Sequence, residues 1–200
     1  MRIGLDLDDV LADSLPRFVE AFRESFGRAV APEGFRWEPF RDFPDIDPAA
    51  QQAFLARLDS AEFFGTVPPM PGAPEAVRAL RQAGHALVIV TGRPVVYGKT
   101  TREWLERHGI APYIDGVVHR DGMRSAAHKV AAVRRYRLDG LVEDEYAIAW
   151  YAVEQDVPVL LFDRPWNRKS LRPGLVRVHS WPEVLSWIQD GFPRWVPGST

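Results

Sequence analysis

The chain has 200 residues, 46% of them hydrophobic and 26% charged, with a formal net charge of −2. This length predicts one domain with room for an insertion, and the small net charge gives no general reason to bind polymeric nucleic acid or an anionic membrane surface. The lack of cysteine excludes disulfides and thiolate zinc sites, and the lack of a membrane-length apolar run or a signal-peptide pattern leads us to expect a cytoplasmic protein.

The first predicted strand, Ile3–Leu7, runs directly into a cluster of carboxylates. Successive side chains of a strand alternate between its two faces, so Asp6 and Asp8 project to the same side at its carboxyl end. Two adjacent like charges are unfavourable unless a cation or a shared proton compensates them. The pattern therefore indicates a site of chemistry.

Residues 15–69 interrupt the pattern of strands and helices, and we predict that they form a small helical insertion. Phe18, Phe22 and Phe26 repeat at four-residue spacing along one face of a helix that Asp13 or Ser14 would cap. A second helical pattern covers Ala49–Leu58. The aromatic side chains of the insertion either pack its own small core or stack on a ring of the substrate. They are Phe35, Trp37, Phe40, Phe43, Phe63 and Phe64.

From about Pro74 onward, predicted helices and strands alternate. Strands are expected at Ala86–Val90, Gly116–Val118, Leu138–Val142, Val157–Phe162 and Val176–His179. Helices are expected near Pro74–Gln82, Thr100–His108, Ala126–Tyr136 and Tyr146–Glu154, with a last helix from Ser180 through Ile188. This alternation predicts βαβ units and a doubly wound parallel sheet. We expect an α/β core over residues 1–14 and 70–194, and a loosely held tail at 195–200.

Further polar groups stand at the ends of these elements. Thr91-Gly92-Arg93 follows the second strand, Lys129 lies near the start of a helix, and Glu143-Asp144 follows the fourth strand. A doubly wound sheet brings its strand ends to one crevice, so these groups can converge with Asp6 and Asp8. Carboxylates suit Mg²⁺, while hydroxyl, lysine and backbone donors suit a phosphoryl group. This set of groups is typical of phosphoryl transfer.

The chain resembles the haloacid dehalogenase superfamily, whose four motifs match Asp6-Leu7-Asp8, Thr91, Lys129 and Glu143-Asp144 in order. Within it, the sequence Leu161–Asn167 adds to a likeness to the 5′(3′)-deoxyribonucleotidase branch and its bacterial nucleotidase relatives. The resemblance implies a Rossmann-like core with a helical cap after the first strand. It also implies a Mg²⁺-dependent phosphomonoesterase that forms an aspartyl-phosphate and acts on (deoxy)nucleoside 5′-monophosphates.

The same resemblance implies roles for individual residues. Asp6 would attack phosphorus, and Asp8 would protonate the leaving oxygen and then deprotonate the hydrolytic water. Thr91 and Lys129 would bind the phosphoryl oxygens.

Metal and substrate ligands are implied in the same way. Mg²⁺ would be held by the Asp6 carboxylate, the Asp8 backbone carbonyl and the pair Glu143-Asp144, either member of which can be the direct ligand. Gly92 and Arg93 are further substrate-binding candidates. Two residues after the fifth strand are also candidates for substrate contacts, Arg164 and Asn167.

Other functions stay open at this point. A phosphatase of another small metabolite, such as a sugar phosphate, would use the same residues. Haloacid dehalogenation also uses an aspartate nucleophile, but it needs neither Asp8 as an acid nor a metal pair. A non-catalytic phosphate-binding or metal-binding domain, or a receiver-like signalling domain, also combines acidic residues, Thr, Lys and Mg²⁺. Receivers, however, carry their phosphoacceptor on a later strand.

Overall fold

The computed structural model describes residues 1–35 and 38–192. Its strands are β1 (Arg2–Leu5), β2 (Ala86–Pro94), β3 (Gly116–Arg120), β4 (Gly140–Glu143), β5 (Val159–Phe162) and β6 (Leu175–Val178). Over the described residues they form one six-stranded sheet in the order β3-β2-β1-β4-β5-β6, and all adjacent pairs are parallel. The doubly wound parallel α/β fold predicted from the sequence is confirmed.

Helices cover both faces of this sheet, as a parallel sheet requires. They are α1 (Ser14–Phe26), α2 (Pro48–Leu58), α3 (Ala61–Thr66), α4 (Ala73–Gln82), α5 (Gly98–Arg107), α6 (Ser125–Tyr136), α7 (Tyr146–Glu154) and α8 (Trp181–Asp190). Buried side chains of α4, α5 and α8 belong to one hydrophobic cluster, and those of α6 and α7 belong to another. The strands contribute to both clusters because their side chains alternate between the two faces.

The order of the strands reverses at β1. From β1 the sheet continues to β2 and β3 on one side, and to β4, β5 and β6 on the other. Leu5 lies opposite Val142, so the residues that follow β1 emerge beside those that follow β4. In open α/β sheets the crevice at such a reversal is where ligands bind.

Helices α1, α2 and α3 lie within residues 14–66, which we call the helical insert. Its interior is built from phenylalanine rings: the centroid of Phe22 lies 4.8 Å from that of Phe26, 5.0 Å from Phe43 and 5.4 Å from Phe54. The chain enters and leaves the insert through two adjacent segments, since the Asp13 N–H donates to the Pro68 carbonyl at 2.8 Å.

The predicted aromatic residues of the insert differ in their surroundings. Phe35 and Phe63 are buried, and Phe40 and Phe43 pack against the same core. Phe64 is partly buried and packs against this core too, but it also contacts a residue of β2, as described below. Trp37 lies outside the described residues.

Each strand differs from its predicted bounds at one end or both, and two of these differences have a clear local reason. Strand β1 ends at Leu5 because the Leu7 carbonyl accepts hydrogen bonds from Leu11 and Ala12 and so belongs to a turn. Strand β4 begins at Gly140, two residues later than predicted, because Leu138 still completes the end of α6 by donating to the Val133 carbonyl. Among the described helices, none is long and apolar enough to cross a bilayer.

Gly4 provides a test of the packing between β1 and β4. A Cβ at this position would lie 2.9 Å from Leu138 Cδ1 and closer still to Leu141. We expect Gly4→Ala to lower the free energy of unfolding by about 1–3 kcal/mol, measured by urea denaturation. Gly116→Ala is the matched control, since a Cβ there meets no atom within 4 Å. An equal effect of the two substitutions would contradict this account of the packing.

Candidate active site

Asp6 lies directly after β1 with both carboxylate oxygens engaged. Its Oδ2 lies 2.6 Å from Lys129 Nζ, and its Oδ1 accepts a hydrogen bond from the Leu7 N–H at 2.8 Å. The residue is 7% exposed. The turn after β1 therefore fixes the carboxylate in one orientation at the edge of the sheet.

Lys129 is shared between two acidic residues. It projects from α6 and is 1% exposed, and its Nζ lies 2.5 Å from Glu143 Oε2 as well as against Asp6. Burial alone lowers the pKa of Lys129, but the carboxylates of Asp6 and Glu143 outweigh burial and hold this pKa above its ordinary value. The single positive charge of Lys129 thus pairs with two buried carboxylates.

Asp144 completes the acidic group. One carboxylate oxygen from each of Asp6, Glu143 and Asp144 can be chosen so that all three lie within 4.8 Å of one another. Burial, then the charge of Glu143, raises the pKa of Asp6 to about 8. Burial, then the charge of Asp9, raises the pKa of Asp144 well above its usual range. The group therefore carries more negative charge than its protein surroundings offset.

This donor set fits a hard divalent cation. Mg²⁺ prefers oxygen ligands and is commonly held by one or two carboxylates together with substrate phosphate. A cation among these oxygens would also favour the ionised form of each acid. The oxygens of Asp6, Glu143 and Asp144 are therefore suited to Mg²⁺, which is the cofactor expected from the sequence.

Asp8 is held by a different cation. Arg93 binds its carboxylate in a two-pronged ion pair, with Nε 2.9 Å from Oδ2 and Nη2 2.6 Å from Oδ1. The same guanidinium lies over the ring of Phe64 in α3, 4.3 Å from its centroid. Arg93 therefore links Asp8 to the helical insert, a connection that the sequence did not reveal.

Thr91 and Gly92 lie beside this ion pair at the end of β2. The Thr91 side chain is fully buried, and its hydroxyl oxygen accepts a hydrogen bond from the Arg93 N–H at 3.1 Å. A Cβ at Gly92 would meet no atom within 4 Å, so there is space for a ligand to approach the backbone closely at this residue. The structure thus gathers Thr91, Gly92 and Arg93 at the carboxyl end of a strand adjacent to β1.

A second acidic pair lies on the other side of Asp8. Asp9 has a φ of +57° and is buried, and Arg164 Nη2 lies 3.0 Å from its Oδ1 and 2.6 Å from Asp13 Oδ1. Burial raises the pKa of Asp9 to about 8 although Arg164 opposes the shift. Asp13 precedes α1, but its side chain makes no capping hydrogen bond, contrary to the sequence prediction. Its carboxylate instead accepts a hydrogen bond from Arg164.

A cavity of about 400 Å³ separates the helical insert from the carboxyl edge of the sheet. Its floor includes the carboxylates of Asp8, Asp9 and Asp144. The helical insert contributes four apolar residues to the lining, Leu55, Leu58, Phe63 and Phe64, together with the acid Asp59. Leu55 is exposed and lines this cavity.

The turn after β5 holds the two candidates for substrate contacts, Arg164 and Asn167, and in this structure both bind other protein groups. Asn167 is fully buried and donates to the carbonyls of Asp144 (2.6 Å) and Phe162 (2.7 Å). Trp166 donates its indole N–H to Asp144 Oδ2 at 2.9 Å. Sequence reasoning missed Trp166, although its position shortly after a strand that adjoins β4 was a usable signal.

Comparisons with known proteins identify the family and the fold. The family model for 5′ nucleotidase, deoxy (pyrimidine), cytosolic type C protein (NT5C) matches residues 1–190. The Bacillus subtilis protein named "Putative nucleotidase YqfW" is 24% identical over 95% of this chain and 94% of its own length. The mouse mitochondrial 5′(3′)-deoxyribonucleotidase is 26% identical over 95% of this chain and 86% of its own length.

Solved structures share the fold. A haloacid dehalogenase-like family hydrolase from Streptococcus pneumoniae superposes with a TM-score of 0.69 at 19% identity, covering 94% of this chain and 98% of that chain. The chain belongs to the NT5C family of nucleotidases and has the fold of the haloacid dehalogenase superfamily. The resemblance drawn from its four motifs is confirmed.

The raised pKa of Asp6 predicts that affinity for Mg²⁺ depends on pH. Below its pKa of about 8 the carboxyl holds a proton that the cation must displace. Apparent affinity should therefore rise between about pH 6 and about pH 8, by up to about tenfold per unit for each proton released, and then level off. Calorimetric titration of EDTA-treated protein with Mg²⁺, in buffers of different ionisation enthalpy, measures the affinity and the number of protons released on binding. An affinity independent of pH, with no proton release, would contradict the prediction.

Proposed function

We propose that this protein is a Mg²⁺-dependent 5′-nucleotidase that hydrolyses (deoxy)nucleoside monophosphates through an aspartyl-phosphate on Asp6. The observation that carries the proposal is the Asp6–Lys129–Glu143 cluster, which orients a buried carboxylate beside Asp144, a residue that lines the cavity. A nucleophile must be oriented and ionised: Lys129 orients Asp6 and opposes the rise in its pKa, and a bound cation would favour its ionised form further.

The proposed reaction uses two aspartates in sequence. An Asp6 oxygen forms a bond to phosphorus as the phosphorus–oxygen ester bond breaks, and Asp8 gives its proton to the leaving alcohol. Water then attacks the phosphorus, Asp8 takes up a proton from that water, and inorganic phosphate leaves as Asp6 is regenerated. Asp8 is paired with Arg93 in this structure, so the ion pair must open for Asp8 to carry its proton.

The remaining groups bind the transferring phosphoryl group. Lys129 and Thr91 would contact its oxygens, together with the backbone of Gly92 and the guanidinium of Arg93. Mg²⁺ would be held by the Asp6 carboxylate, the Asp8 backbone carbonyl and the pair Glu143-Asp144, where it would neutralise charge on the phosphoryl oxygens.

The lining of the cavity suits a substrate that has one phosphate and a ring. The phosphate would reach the floor, and the base or sugar would rest against Leu55, Leu58 and Phe64 of the insert. Two further carboxylates, Asp59 and Glu145, line the cavity and disfavour a second phosphate. We propose that residues 15–69 act as a cap that closes over the core of residues 1–14 and 70–194 and excludes water.

The nucleophile assignment predicts the behaviour of Asp6→Asn. Phosphate release from nucleoside 5′-monophosphates should fall by more than about 10³-fold. Folding should persist, because Lys129 and Glu143 remain as a one-to-one ion pair. Asp45→Asn, which alters an exposed pair with Arg28, is the matched control and should retain activity.

The measurement is phosphate release across a panel of nucleoside monophosphates and sugar phosphates, with and without EDTA. EDTA should abolish activity of the wild-type protein. Full activity of Asp6→Asn would exclude the aspartyl-phosphate route, and a preference for sugar phosphates would assign a different substrate to the same site.

The acid–base role of Asp8 predicts a dependence on the leaving group. Asp8→Asn should lower turnover of a nucleoside monophosphate by about 10²–10⁴-fold, since an alkoxide leaves poorly without a proton. With p-nitrophenyl phosphate the first step needs no proton, so one equivalent of nitrophenolate should appear in a burst before slow hydrolysis of the intermediate. Rapid-mixing absorbance measurements test this, and a thermal melt checks the fold. Equal loss for both substrates, without a burst, would contradict the assignment.

A further inference from the structure

Residues Arg164–Asn167 form a turn directly after β5, which we call the 164–167 turn. Two consecutive residues of this turn hold Asp144 from different sides. The Trp166 indole N–H donates to Asp144 Oδ2 at 2.9 Å, and Asn167 Nδ2 donates to the Asp144 carbonyl at 2.6 Å. The carboxylate and the backbone of Asp144 are thus both positioned by the end of the neighbouring strand.

The two acids of the Glu143-Asp144 pair are engaged differently. Glu143 has both oxygens occupied, since Oε2 accepts from Lys129 at 2.5 Å and Oε1 accepts from the Glu145 N–H at 3.0 Å. Asp144 lines the cavity, and its Oδ2 accepts from a neutral donor, the Trp166 indole. That hydrogen bond fixes the plane of the carboxylate and leaves Oδ1 as the oxygen that can face a cation.

The 164–167 turn is itself held rigidly. Asn167 Oδ1 accepts from the Arg164 N–H at 3.2 Å and from Arg177 Nη1 at 2.6 Å. The Arg164 guanidinium lies 5.1 Å from the Trp166 ring centroid and bridges Asp9 and Asp13, where the chain enters the helical insert. The indole N–H is therefore presented to Asp144 by a preorganised scaffold.

We infer that Trp166 is a positioning residue of the metal site, which sets the affinity for Mg²⁺ by orienting the Asp144 carboxylate. This inference rests on the proposed function in taking Asp144 as a cation ligand. Partners that orient a metal ligand through a hydrogen bond typically contribute about 10–100-fold to metal affinity. A role in packing alone would instead reside in the aromatic ring, whose centroid lies 5.8 Å from that of Phe35.

Trp166→Phe separates these roles, because it keeps an aromatic ring and removes the donor. Its matched control is Trp150→Phe, which removes an indole hydrogen bond of the same length, 2.9 Å to Glu154 Oε1, on the surface of α7. Calorimetric titration of EDTA-treated protein with Mg²⁺ should show about 10–100-fold weaker binding for Trp166→Phe and a change of less than about twofold for Trp150→Phe. Binding by Trp166→Phe within about twofold of wild type would overturn the inference and leave the proposed function standing.

A second measurement on the wild-type protein does not depend on how well the variant folds. In ¹⁵N–¹H spectra, the indole signal that Trp166→Phe removes should shift on titration with Mg²⁺, while the signal that Trp150→Phe removes should stay in place. An unmoved Trp166 signal at saturating Mg²⁺ would overturn the inference. A wild-type protein that binds no Mg²⁺ would instead overturn the metal dependence on which both proposals rest.

Discussion

The rest of this structure depends on the two ion pairs that the Lys129 ammonium makes with Asp6 and Glu143. Both ion pairs are buried, and a buried charge that loses its partner costs several kcal/mol. Lys129 comes from α6, Asp6 follows β1, and Glu143 ends β4. One side chain therefore fastens three elements together at the point where the functional carboxylates must meet.

The strand order explains why that point lies where it does. Because β1 is central and the sheet reverses between β1 and β4, the acids that follow these strands emerge side by side. The helical insert leaves the core immediately after the same acids and returns through a segment paired with its own entry, Ala12 opposite Pro69. The insert therefore begins and ends beside the reversal point, and its residues line the cavity next to the candidate site.

The sequence predicted the features that arise from local patterns, and it missed contacts between residues that are far apart in the chain. Alternating apolar runs and helical patterns specify a parallel sheet, and the sheet brings strand ends together, so Asp6, Lys129 and Glu143 could be placed in one crevice. Short polar contacts between distant loops leave no periodic signal. The pairing of Arg93 with Asp8 and the indole bond from Trp166 depend on tertiary packing that no local pattern encodes. Helix α3 was missed because six residues are too few to establish a period.

The distribution of cations around the acids gives a physical reason for the proposed metal dependence. Within the described residues, five carboxylates at this site pair with three cationic side chains, and a sixth is bonded to the Trp166 indole. The carboxylates are Asp6, Asp8, Asp9, Asp13, Glu143 and Asp144, and the cations are Arg93, Lys129 and Arg164. Asp144 lines the cavity and is bonded to a neutral donor, so its charge, when it is ionised, is not compensated by a cationic side chain. A phosphate dianion approaching that charge would be repelled, and a divalent cation at Asp144 converts the repulsion into attraction. On these electrostatics the proposed Mg²⁺ would favour binding of a phosphate substrate as well as the proposed chemistry.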